Sequence, residues 1–241
     1  MLIETPSEIT NILYQGELEY SASDQQRSIN RHGDSNTITN PKSVVATIGE
    51  PQWWDISKLY PADKMPEEFK QQLGQADFFL VQLACSLRPE PDQHVEWARF
   101  SVSLSPKRLG VSDPVAIDLH PIELYDEVEK SVKWTLSPKL KFEKAEGSIG
   151  EYTTEIKYTQ LVPVITAAGA LESQFSWDME QTQGHPLRGT RWFHAVVKRP
   201  KGADGVQATL NIVADVVTPG GLFHATINEK AKLKVSHLIC I

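Results

Sequence analysis

The chain has 241 residues, with 24 Lys and Arg against 31 Asp and Glu and a formal net charge of −7. Hydrophobic residues make up 40%, enough at this length to fill a core without disulfide or metal staples, so wholesale disorder is excluded. The negative balance speaks against a dedicated nucleic-acid binder, which carries a basic excess.

The N-terminus, Met1-Leu2-Ile3-Glu4-Thr5-Pro6, has no basic region followed by an apolar one, so no signal peptide is read there. The longest charge-free, apolar-leaning stretch runs from Tyr158 to Leu171, 14 residues with Pro163 inside. A membrane-spanning helix needs about 20. The expectation is a soluble, cytoplasmic, acidic protein.

Thr5, Pro6 and Glu8 have the spacing of a helix start. Ile9, Ile12 and Leu13 would then share a face, and Gly16 would end the helix. A strand over Glu8 to Tyr14 is the competing reading. Residues 21–43 are too polar to order themselves by burial and are expected to form a loop or flexible linker. Val44, Val45 and Ile48 suit a short strand, and Trp53-Trp54 follows after Pro51. Met65, Phe69 and Leu73 recur every four residues between Pro61 and Gly74, which predicts a short helix.

From Ala76 the period changes to two. Phe79, Val81, Leu83, Cys85 and Leu87 alternate with Leu80, Gln82, Ala84 and Ser86, and Val95 to Leu104 reads as the return strand. Leu119–Lys130 is either a short helix or a bulged strand. Val132, Trp134, Leu136, Leu140 and Phe142 alternate with polar residues. Tyr152 to Ile165 is a further strand, and Ser173, Phe175, Trp177 and Met179 mark the next. Trp192 to Val197 is a denser apolar run. Val206, Ala208, Leu210, Ile212, Ala214 and Val216 give the cleanest alternation, and Leu222–Ile227 and Leu233–Ile241 complete the set. Asp204-Gly205, Pro219-Gly220-Gly221 and Gly184-His185-Pro186 supply turns.

Strands without long intervening helices favour antiparallel pairing, because parallel crossovers need a dozen or more residues. The fold class predicted is mainly all-β, an antiparallel β-sandwich or partly closed barrel with one or two short helices in an N-terminal extension. Residues 1–75 would form that extension, with 6 basic and 11 acidic side chains. Residues 76–241 would form the sandwich domain, nearly neutral at 18 against 20.

No phosphate-binding glycine loop is present, and Gly147-Ser148-Ile149-Gly150 lacks nucleophile-elbow spacing, so it reads as a hairpin turn. Cys85 and Cys240 each sit in an apolar run and behave as small buried hydrophobes, with a disulfide between them the lesser alternative. The seven histidines include no His-x-His or His-Glu-x-x-His. His194 and His224, with Asp215 or Asp178, are the best metal candidates, outweighed by two ordinary hydrogen-bonded imidazoles. Asp178 and Glu180, or Asp126, Glu127 and Glu129, are candidate acid pairs for a jelly-roll hydrolase, although a solvated polar face explains them more simply. No catalytic residue, metal or cofactor is therefore assigned.

Arg188, Arg191, Lys198, Arg199 and Lys201 surround Trp192, Phe193 and His194, as in a single-strand nucleic-acid platform. Trp192 and Phe193 are successive in a strand, however, and point to opposite faces. Trp53-Trp54 can anchor a partner or stack on a sugar. Its structural alternative, stapling the N-terminal region onto the sandwich, is favoured because large exposed aromatics are uncommon on monomers. Alternating strands also suit a pore, but Lys133, Lys139 and Lys141 crowd the face that lipid would need.

The function expected is a non-enzymatic β-sandwich acting through a protein partner or self-association, as an adaptor, regulatory or assembly subunit. The contact candidates are Trp53, Trp54, Arg188, Arg191, Lys198 and Arg199. Neither membrane nor nucleic acid is an expected partner. The alternatives are a carbohydrate-binding or other small-ligand-binding sandwich and, behind it, a hydrolase.

Overall fold

A computed structural model describes residues 9–21, 43–59, 67–108, 110–124, 132–135, 153–156, 165–182, 186–227 and 236–240. The alternation in the sequence becomes strands: β1 (Ile12–Tyr20), β2 (Val45–Gly49), β3 (Gln52–Asp55), β4 (Ala76–Arg88), β5 (His94–Pro106), β6 (Val115–His120), β7 (Glu123–Leu124), β8 (Val132–Thr135), β9 (Thr153–Ile156), β10 (Ile165–Ala168), β11 (Gln174–Glu180), β12 (Gly189–Pro200), β13 (Val206–Thr218), β14 (Gly221–Ile227) and β15 (Ser236–Cys240). Two short helices, α1 (Ile56–Leu59) and α2 (Glu67–Leu73), lie between β3 and β4. All pairings among the described residues are antiparallel.

Thirteen of these strands join in one sheet, ordered β6-β12-β4-β2-β1-β14-β13-β5-β11-β10-β7, with β3 added on β4 and β15 on β13; β8 and β9 pair separately. The long sheet folds back on itself into two facing layers. β1 makes one corner: Ile12–Glu17 pair with β2, and Leu18–Tyr20 pair with β14. The chain from β6 to β7 makes the other. β6 pairs with β12 in the first layer and β7 with β10 in the second, with a cis His120–Pro121 peptide between them. The β10–β11 turn closes this corner, with Leu171 N donating to Ala116 O at 2.6 Å and Ala116 N to Glu172 O at 3.0 Å. The result is a nearly closed, barrel-like antiparallel fold.

The inner faces supply the core. Val206, Ala208, Leu210, Ile212, Ala214 and Val216 of β13 are buried, as the period of two predicts. Phe193 of β12 stacks on Trp177 of β11 at 4.7 Å and on Phe100 of β5 at 5.5 Å, so these rings join the layers. β4 departs from simple alternation. Its inward residues Phe79, Val81, Leu83, Cys85 and Leu87 are buried, but so are Phe78, Leu80, Gln82, Ala84 and Ser86 on the other face. α1 and α2 lie against β4, and Ile56 of α1 is buried. A strand covered on both faces reads as a continuous apolar run, as Ala76–Leu87 does.

The helix expected to span Ile9, Ile12, Leu13 and Gly16 is not formed over the described residues, where Ile12–Tyr20 is strand β1. The pairing of β1 with β2 shifts register between Ile12 and Tyr14. This bulge breaks the strict alternation and leaves the apolar residues at helix-like spacing. Pairing on both edges, with Leu18 and Tyr20 buried, overrides the local cap signal. The strands β1, β2 and β3 thus belong to the same sheet as the strands after residue 76. Leu119–Lys130 resolves, as far as residue 124, in favour of strand: β6 has a register shift against β12 and β7 follows it. The polar stretch 22–42, the positions Leu136, Leu140 and Phe142, the acid cluster Asp126, Glu127 and Glu129, and Gly147–Gly150 lie outside the described residues.

Candidate functional site

Trp53 and Trp54 sit on β3, opposite Val81 and Leu80 of β4. Trp53 packs against the core with its ring edge-on to Phe79 at 5.6 Å. Neighbouring strand residues point to opposite faces, so the two indoles do not form one stacking platform. Both are half-buried.

The basic residues of β12 and its flanks divide into two groups. Arg188 and Arg191 lie at one end of the strand, and Lys198, Arg199 and Lys201 at the other, roughly 25 Å away at about 3.3 Å per residue. Asp77 engages two members of the second group: Arg199 Nη2 donates to its carboxylate at 2.8 Å, and Lys201 Nζ donates to the other oxygen. Burial pulls the Asp77 carboxyl upward, but these two hydrogen bonds outweigh it and hold the group below the usual carboxylate range. The Arg199 guanidinium also covers the Phe79 ring at 4.9 Å. Arg199 is thus committed to structure. Arg191 faces inward opposite Cys85 and is only 8% exposed.

The sequence-level chemical candidates are also engaged. Asp178 is held by Arg99, whose Nε and Nη2 donate to its two oxygens at 2.7 and 2.9 Å. The paired-acid reading therefore has no free Asp178. His194 and His224 are not neighbours: β12 lies in the first layer and β14 in the second. His224 Nδ1 is 2.8 Å from Asp215 Oδ1, and His194 Nε2 is 3.3 Å from Gln82 Nε2. No group of three or more metal-ligating side chains occurs among the described residues. Cys85 is a free, buried thiol, pushed up to about 12 by burial, so it is inert and not in a disulfide.

A cluster that the sequence did not reveal lies on the covered face of the first layer. His120 of β6 stands opposite His194 of β12, with ring centroids 6.4 Å apart, and Gln82 of β4 completes the row. Burial lowers His120 to about 4. Burial, and then the neighbouring His120, lower His194 to about 3. Both rings are neutral at physiological pH.

The corner between the layers presents the most distinctive surface. Leu171 is 72% exposed and has a φ of 73°, in the left-handed region that L-residues other than Asn and Asp rarely enter. Gly169 sets the turn with a φ of 88°, and a Cβ there would lie 2.3 Å from Gln174 O, so only glycine fits. Ile122 is 56% exposed, and its carbonyl accepts from Ala167 N at 2.7 Å, which ties it to the same corner. Glu123 and Glu172, the chain neighbours of Ile122 and Leu171, are exposed, as is Asp113 ahead of β6. Gly169 was the available sequence signal for a turn, but no local pattern showed that Leu171 would face solvent.

No protein-family model matches the chain. No curated protein matches it either. The crystal structure of the Clostridium perfringens NetB toxin in its membrane-inserted form aligns with 86% of this chain and 89% of that one, at 10% identity and a TM-score of 0.33. A superposition of that quality carries neither fold nor activity across. No helix among the described residues is long and apolar enough to cross a membrane.

Proposed function

We propose that this chain is a non-enzymatic interaction protein, an adaptor, regulatory or assembly subunit, that docks a protein partner through the corner built by β6, β7 and the β10–β11 turn. The carrying observation is Leu171, an exposed leucine held at a φ of 73°. Such a backbone costs a leucine about 1–2 kcal/mol, and in the free chain no burial offsets it. Contact with an apolar pocket does. Ile122 provides a second anchor, and the acids Glu123, Glu172 and Asp113 select a pocket rimmed by Lys or Arg. A second copy of this acidic chain meets like charge here, which favours a different protein. β7 has only two residues, and Ala116 of β6 is capped by the turn, so side-chain anchoring fits better than strand addition. The non-enzymatic part of the reading is supported by the engagement of Asp178, His194 and His224 described above.

Leu171→Gly separates binding from folding. Glycine relieves the backbone, so stability in urea is expected to hold or rise by about 0.5–1 kcal/mol, while docking weakens. A photocrosslinking residue at position 171, used in native extract, is expected to give a discrete protein adduct that Ile122→Glu and high salt suppress. A chain that gives no adduct and sediments as a monomer at every concentration would overturn the reading.

A further inference from the structure

We propose that the end of the sandwich beside Arg191 binds the carboxylate of a small organic acid, held by the Nε–Nη2 edge of the buried guanidinium. Arg191 is 8% exposed, on the core face of β12 directly opposite Cys85. Its Nη1 donates to the carbonyls of Arg188 at 3.1 Å and Thr190 at 3.0 Å. These bonds fix one side of the guanidinium plane. On the other side, Nε is buried without an acceptor, and among the described residues neither Nε nor Nη2 makes a hydrogen bond or ion pair. That edge is the two-donor fork that matches a carboxylate.

The charge around the fork points the same way. Burial pulls the Arg191 guanidinium below the usual arginine range, and the partial offset comes from Cys85. The Cys85 thiol stays protonated, so it does not neutralise the cation. A buried, unpaired cation is among the costlier features a fold can carry, and a bound anion removes that cost. Just after β11, Thr182 Oγ1 is a further buried oxygen without a partner, a hydroxyl with bonding capacity to spare. Arg188, exposed just before β12, adds positive potential at this end of the strand. Cys85, directly opposite Arg191 across the strand pair, is buried, so the guanidinium has an apolar lining on that side. One cation in such a lining balances one negative charge, which favours carboxylate over phosphate dianion.

The test titrates the full chain with sodium acetate, sodium hexanoate, sodium phosphate and sodium chloride at matched ionic strength and follows Tm. The wild type is expected to gain Tm saturably with the carboxylates, hexanoate binding more tightly than acetate. Arg191→Met is expected to keep its ligand-free Tm and to lose about tenfold or more in apparent affinity. Should the variant not fold, the wild type alone decides: hexanoate shifts the 15N-resolved Arg191 Nε–H resonance and slows its exchange with water. Equal effects of hexanoate and chloride, tighter binding of phosphate than of hexanoate, an unmoved Arg191 resonance, or an undiminished response in folded Arg191→Met would each overturn the proposal.

Discussion

Acidification is expected to destabilise the protein from about pH 6.5 downward, through the buried pair His120 and His194. In the unfolded chain both imidazoles take up protons near 6.5, whereas in the fold they do so only at about 4 and about 3. Below 6.5 the unfolded state therefore binds more protons, and stability falls as pH falls. The stability is fully present above 6.5 and is lost as pH drops through the folded values. At about 1.4 kcal/mol per pH unit and group, the combined loss by pH 4 is on the order of 5 kcal/mol. That is a large share of the stability of an ordinary domain. Protonation also disrupts the row: Gln82 Nε2 donates to His194 Nε2, and a protonated ring has no acceptor there. The Asp77 carboxyl is held below its usual range and titrates at lower pH, while Tyr20 and Cys85, both pushed up to about 12, titrate far above it. Urea denaturation across this pH range measures the slope. In His194→Gln the slope is expected to fall to about half, because one of two groups is removed. A wild-type stability that stays flat from 6.5 to 4 would sink the account.

The pair lay beyond the sequence for a specific reason. Alternation places His194 with Trp192 and Val196 on the face of β12 opposite Phe193, and an outward face of a sandwich is ordinarily wet. The burial of that face follows from what covers β4, seen in Phe78, Leu80, Gln82 and Ser86 being buried along with their inward neighbours. Arg191 is the reverse case. It shares its parity with Phe193, Ala195 and Val197, which are all buried; the dense apolar run Trp192–Val197 does not say which parity faces inward, so from the sequence Arg191 reads as a contact residue. The Asp178–Arg99 pair depends on the register of β11 against β5, set by residues far apart in the chain. β13 was legible in full because each strand face meets a single environment. β1 was not, because a bulge disturbs its alternation and it serves both layers. The corner surface was hidden for a related reason: exposure of Leu171 depends on where the β10–β11 turn meets β6, which no local pattern encodes.

Trp177→Ala is expected to cost about 3–5 kcal/mol, the range for removing a large buried aromatic. Trp177 is fully buried, with Phe193 stacked at 4.7 Å across the layers, Phe100 at 6.3 Å and Phe175 edge-on at 5.5 Å. Its loss opens a void where the two layers meet, and the surrounding strands, paired on both sides, have little freedom to collapse into it. Trp177 has a second task. Its Nε1 donates to Pro121 O at 3.1 Å, which ties β11 to the crossing between β6 and β7. Trp177→Phe keeps an aromatic ring but leaves that buried carbonyl without its donor, a loss of about 1–3 kcal/mol. The two substitutions should therefore differ in place as well as in size. Alanine weakens the whole core, lowering the urea midpoint and speeding exchange throughout. Phenylalanine loosens chiefly the corner, so hydrogen exchange at the Ala167 amide, which donates to Ile122 O, should quicken more than exchange at the β4–β12 amides. Because Ile122 and Leu171 are presented from that corner, Trp177→Phe should also weaken partner docking without touching the contact residues. If exchange in Trp177→Phe rises evenly across both layers, the hydrogen bond to Pro121 does not anchor the corner.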